Sequence, residues 1–136
     1  MTGVDRTNGR PLEGFAHVVQ SVDVIFSTSI GERVMRRHFG SSAPILLGRL
    51  MTANTVLRFF HLVAVALEIW EPRFRIARVS AVNPGPEQIR LGGFAFVIEG
   101  EYRPRGHLGD PTPEGHLRRL IVAASDARFI ISEASP

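Results

Sequence analysis

The 136-residue chain contains no cysteine, which excludes disulfide staples and thiolate metal sites and is compatible with a reducing compartment. It also contains no lysine. All sixteen basic residues are arginine, spread from Arg6 to Arg128 with acids between them, and the formal net charge is only +3. No block of like charges builds up, so the pI near 10.9 overstates how basic the surface is and is not the footprint of a nucleic-acid binder. Arginine suits planar, bidentate pairing in protein interfaces instead. Gly-rich phosphate loops, paired-histidine metal motifs and nucleophile elbows are missing as well. The five histidines, His17, His38, His61, His107 and His116, are scattered, so neither a metal nor another cofactor is expected. The longest apolar block in the main helical stretch, Leu62 to Leu67, is far below a membrane span. The start is polar, with Asp5, Arg6, Asn8 and Arg10, and reads as no signal peptide. There is no internal repeat and no low-complexity segment.

What is present reads as one domain with flanking segments. Residues 1–14, with Gly3, Gly9, Pro11 and Gly14 among polar residues, read as an arm. From Phe15 to Phe26, Phe15, Val18, Val19, Val22, Ile25 and Phe26 recur at helical spacing, the mark of an amphipathic helix. Ser29-Ile30-Gly31-Glu32 has the spacing of a capping box. It predicts a second helix from Ile30 to His38, ending at Gly40, with a basic surface of Arg33, Arg36 and Arg37. Ile45 to Met51 forms an apolar turn or short helix, and Thr52 or Asn54 can cap the start of the main helix. That helix, Ala53 to Trp70, is apolar nearly all round. Asn54, Arg58, His61 and Glu68 make one narrow polar strip, so the rest must be covered by the domain or by neighbours.

After Pro72, Phe74, Ile76, Val79 and Val82 read as a strand with a change of phase near Arg78 that suggests a bulge. Asn83 to Pro86 is turn chemistry, and Gln88 to Leu91 is a candidate for pairing back. Phe94 to Arg103 alternates as a half-buried antiparallel strand. The fold class is α+β: N-terminal helices and one long central helix packed on a small antiparallel sheet. The folded domain spans 15–104, and 105–136 reads as a linker and C-terminal extension with apolar residues enough to dock.

The stretch from Glu68 to Arg75 joins the long helix to the first strand. Proline disfavours a helical conformation in the residue before it, so the helix should close at Trp70 and Glu71 should be extended. An extended chain sets Glu71, Arg73 and Arg75 on one side. Glu32, Glu68 and Glu71 could supply the two carboxylates of a glycosidase, but each has a structural reading as a cap, a helix-strip residue and a helix stop.

Thr7-Asn8-Gly9-Arg10-Pro11-Leu12, Gln20-Ser21-Val22, Ile25-Phe26-Ser27-Thr28, Gly31-Glu32-Arg33-Val34-Met35-Arg36-Arg37 and Phe39-Gly40-Ser41 occur in order, before a long helix ending Trp70-Glu71-Pro72-Arg73. This ordered set resembles the GPW-type baseplate wedge family of contractile phage tails, over about Gly9 to Tyr102. The resemblance implies a non-enzymatic virion protein of the tail baseplate, assembled in the host cytoplasm. It implies docking on the helical core bundle of the other wedge proteins around the tail tube, and a start for the first sheath ring. Glu71, Pro72 and Arg73 are implied as the docking corner, and Glu71 and Arg73 are expected to pair there with charged or backbone groups of the core bundle; Arg75, Arg33, Arg36 and Arg37 are read as further partner-binding residues. Neither nucleic acid nor membrane is an expected partner, and about six copies per ring follow from the family and from closed rotational symmetry. The strand Phe94 to Arg103, or Phe74 to Val82, is expected to accept an arm of a sheath subunit, the alternative being that the edge is covered by the chain's own tail, Leu117 to Ile131. Because some relatives carry an old lysozyme label, a wall-degrading hydrolase is the alternative.

Overall fold

The computed structural model describes residues 2–46, 52–82, 93–125 and 128–134. Two short strands, β1 (Gly3–Val4) and β2 (Pro11–Leu12), pair antiparallel as a hairpin. This arm is strapped to the first helix, α1 (Gly14–Ser27), by hydrogen bonds through Gln20 and by the Arg6–Asp23 ion pair at 3.1 Å. The helical spacing read from the sequence is the face α1 buries: Phe15, Val18, Val22, Ile25 and Phe26. A short α2 (Ala43–Leu46) comes next, and then α3 (Ala53–Trp70), capped by the Thr52 hydroxyl, which accepts from the Thr55 amide.

Four strands form one antiparallel sheet in the order β3 (Phe74–Val82), β4 (Phe94–Tyr102), β5 (Arg118–Ser125) and β6 (Arg128–Ala134). The phase change near Arg78 is a bulge: Ile76 pairs with Gly100 and Arg78 with Glu99, leaving Ala77 without a partner. Both long helices cover one face of the sheet, α1 toward β6 and α3 toward β3. The core between them is aromatic. Phe59 meets Phe94 and Phe96 edge-on at 4.9 and 5.0 Å and stacks on Phe129 at 6.0 Å, while Phe26 also reaches Phe129.

Four expectations change. Ile30 to His38 is not helical; it is a loop between Thr28 and Ser41. Only half of the capping box forms, the Glu32 carboxylate accepting from the Ser29 amide at 2.8 Å, and it closes a turn instead of starting a helix. Ile30 and Val34, which would have lined one face of that helix, are 52% and 80% exposed, and a short helix with no face to bury is not stable in water. Second, the segment read as an extension is built into the sheet. β5 and β6 supply two of its four strands, with Leu120, Val122, Ala124 and Phe129 in the core. The preceding loop folds back, with the Glu114 amide donating to the Tyr102 carbonyl. β4 consequently lies between β3 and β5, so of the two strands expected to accept an arm only β3 keeps a side with no strand on it among the described residues.

Third, α3 exposes more than a polar strip. Phe59, Val63, Ala66 and Leu67 are buried, whereas Leu57, Val65 and Ile69 face outward beside Arg58, His61 and Glu68. Fourth, by length and composition α3 is apolar enough to cross a membrane, with a mean hydropathy of 1.3 over its 18 residues, which its longest apolar block does not reveal. Its packing against the sheet makes it a core helix with one uncovered side. The expectations for Leu47 to Met51, Asn83 to Pro86 and Gln88 to Leu91 lie outside the described residues.

Candidate functional site

The corner between α3 and β3 is fixed by its own backbone. Glu71 leaves helical geometry at φ −129° and ψ 72°, as the following proline demands, while its amide still bonds the Leu67 carbonyl. The chain then turns tightly: the Phe74 amide donates to the Glu71 carbonyl at 3.0 Å, with Pro72 in the first central position of the turn. The corner is thus a turn and not a straight extension. On its far side the Arg103 amide donates to the Arg73 carbonyl at 2.7 Å. Gly106 presses in from the loop after β4, and a Cβ there would collide with the Pro72 carbonyl oxygen.

This turn folds Glu71 and Arg73 onto each other. Arg73 Nε lies 2.6 Å from Glu71 Oε1 and Nη2 lies 2.8 Å from Oε2, a bidentate pair whose side chains are 8% and 2% exposed. The third guanidinium contact reaches His17 Nδ1 on α1 at 2.9 Å. Since arginine can only donate, His17 Nδ1 accepts and the proton of the neutral ring sits on Nε2. Burial, and then the positive charge of Arg73, hold the His17 pKa below its ordinary value. Glu71 and Arg73, expected to pair with groups of a neighbouring bundle, are instead paired with each other and with His17, and the motif ties together helix end, turn and α1 from inside the fold. No sequence signal named His17 as the third member, because it lies 56 positions from Arg73.

The other residues expected at a partner surface are placed differently. Pro72 is exposed at the apex of the corner, and Arg75 points to solvent, 2.9 Å from Glu68. Arg33, Arg36 and Arg37 are all exposed on the loop between Thr28 and Ser41. Of these, Arg33 lies over the Phe39 ring at 4.3 Å, and Phe39 in turn packs on Trp70, the last residue of α3, at 5.0 Å between centroids. Loop and corner thus flank the same end of α3. The three acids weighed for catalysis are not brought together for it. Glu71 is spent on Arg73, Glu32 on the Ser29 amide, and Glu68 pairs with Arg75 beside a cavity of about 200 Å³ lined also by Ala64, Phe74 and Ile76. Among the described residues no group of three or more histidines, aspartates and glutamates is placed to hold a metal ion.

The site is thus a helix-to-strand corner locked by a buried ion pair, beside an exposed arginine loop. Residues 13–105 match the family described as baseplate wedge protein gp25, and the chain belongs to that family. It is 31% identical to baseplate protein W of Escherichia phage P2 over 81 residues, 60% of this chain and 70% of that protein. Among solved structures it resembles a chain of the post-contraction pyocin R2 baseplate, at 30% identity and a TM-score of 0.64, covering 76% of this chain and 99% of that one. It also resembles a candidate tail lysozyme from Geobacter sulfurreducens, at 26% identity and a TM-score of 0.63, covering 84% and 93%. The protein is a baseplate component of a contractile phage tail, and its family is a structural one. The family match ends at residue 105, before β5 and β6 complete the sheet.

Proposed function

We propose that this wedge subunit docks on the helical core bundle of its neighbours around the tail tube, in about six copies per ring, and offers the first sheath ring a strand edge to build on. The observation that carries this reading is the buried Glu71–Arg73 pair: it spends both charges inside the fold and presents Pro72 and Arg75 at a rigid corner. A corner whose shape is fixed before contact loses little entropy on docking. The outer side of β3, a nine-residue strand with no strand beyond it among the described residues, is the edge on which a sheath arm adds. A structure of the assembled baseplate tests both points. Main-chain pairing between β3 and a sheath chain, with the corner against the bundle, is the expected result; a solvent-exposed β3 edge with no sheath contact overturns the templating role.

The hydrolase alternative draws on the likeness to the candidate tail lysozyme. Glycosidic cleavage needs two carboxylates facing each other across a cleft, one of them held protonated. Glu71, ion-paired to Arg73 and 2% exposed, can serve as neither. Purified protein is therefore expected to release nothing from cell-wall substrate, and turnover abolished by Glu71→Gln would reverse this conclusion.

A further inference from the structure

The loop between Thr28 and Ser41 is held more firmly than its exposure suggests. Its base is closed by the Ser29–Ser41 bridge and by the Ser41 amide donating to the Thr28 carbonyl at 3.0 Å. Gly40, at φ +121°, lets the two sides meet, since a Cβ there would collide with the Thr28 carbonyl oxygen. Higher up, the Gly31 amide bonds the Arg37 carbonyl at 2.7 Å across the loop, and the Phe39 amide bonds the Arg36 carbonyl. His38 and Phe39 rest on Trp70. Within the loop, the Glu32 carboxylate and Arg33 over the Phe39 ring add side-chain contacts to these anchors. Its tip carries Val34 and Met35, 80% and 92% exposed, flanked by Arg33, Arg36 and Arg37.

Among the described residues no carboxylate pairs with any of these three arginines, although seven ion pairs occupy arginines elsewhere. The nearest acid in sequence, Glu32, is turned to the Ser29 amide. The surface continues onto α3, where Ile69 is 61% exposed next to Trp70. A tip with two bare apolar side chains, flanked in the chain by three exposed arginines without carboxylate partners, has the composition of an interface core, where methionine and arginine are enriched. Phosphate backbones would satisfy the arginines but leave Val34 and Met35 without a partner, so the chemistry favours a polypeptide.

We propose that this loop, with the last turn of α3, is a second docking element that binds an acidic segment of a neighbouring baseplate protein, its arginines pairing with carboxylates around an apolar seat for Met35. The inference rests on the wedge reading and adds to the corner a partner of stated charge.

Three measurements on the particle that carries the chain test it. Oxidative footprinting of the unmodified protein reads Met35 directly: its sulfoxide yield should fall about tenfold or more from free subunit to assembled baseplate. Equal yields would overturn the proposal. Because the chain has no cysteine, Met35→Cys introduces a single thiol for a maleimide photo-crosslinker. Cross-links in the baseplate should map to a segment of another baseplate protein with net negative charge. Cross-links to a neutral or basic segment, to nucleic acid or only within the chain would refute it. Combined Arg36→Glu and Arg37→Glu, which spare the contact of Arg33 with the Phe39 ring, should leave far-UV dichroism and the denaturation midpoint unchanged while incorporation drops at least about tenfold. Undiminished incorporation of that variant overturns the loop's role alone, whereas failure to find the unmodified chain in baseplates would overturn the wedge reading itself.

Discussion

Arginine does opposite work in two neighbouring parts of this molecule. At the corner, Arg73 is 7% exposed and all three of its contacts are internal: both oxygens of Glu71 and Nδ1 of His17. On the loop a short distance away across Trp70, Arg33, Arg36 and Arg37 are exposed, and Arg33 lies over the Phe39 ring. A buried ion pair contributes little net stability but is costly to break from one side, because the surviving charge is left without solvent. An exposed arginine costs the fold little to remove, within about 0.5 kcal/mol. Family-like motifs rich in one residue type can thus divide between shaping a surface and being that surface.

The sharpest way to break the comparison is Arg73→Ala. With the pair internal, it should cost about 3–5 kcal/mol in denaturant unfolding, since Glu71 stays buried and unpaired. Arg73→Lys should recover only part of this, because an ammonium cannot make the two parallel contacts. A loss below about 1 kcal/mol would mean the pair opens freely to solvent. Next is Gly106→Ala, whose added carbon must push back the Pro72 carbonyl. It should cost about 1–3 kcal/mol, as other over-packed sites do, and no change would show the corner to be pliable.

The third test uses pH. The folded-state pKa of His17 is lowered, so below about 6.5 the unfolded chain takes up a proton at this position before the folded one does. The stability this contributes is present above that value and is lost as pH falls through the window beneath it. His17→Gln should flatten the corresponding part of the stability profile, measured as the difference between the two proteins at each pH. Parallel profiles would separate His17 from the corner. The smallest effect belongs to the loop: Arg36→Ala should shift stability by less than about 0.5 kcal/mol. A larger loss would mean that the loop, too, is part of the fold.

Much of the frame was legible because it follows from local chemistry. α1 and α3 end where spacing and Pro72 place them, Thr52 caps as its type suggests, and the phase change in β3 is the bulge at Ala77. The segment from Ile30 to His38 misleads because a capping box is only two hydrogen bonds. The same Glu32 carboxylate bonds the Ser29 amide in a turn once no apolar face is available to hold a helix together. The tail from Leu117 to Ile131 was legible as a candidate to cover a strand edge, and it covers that of β4; that it does so as two full strands, β5 and β6, was not, because short apolar runs acquire that meaning only beside β4.

The sequence by itself determined where the chain turns and which faces are apolar, since proline sterics, capping chemistry and side-chain periodicity act within a few residues. It also carried the ordered motifs by which the family could be recognised. Only the tertiary structure decided that Glu71 and Arg73 face inward toward each other and His17, while Arg33, Arg36 and Arg37 stay outside. The reason is that burial of a charge is set by what packs over it, and the groups that enclose this corner, from α1, β4 and the loop carrying Gly106, arrive from distant parts of the chain.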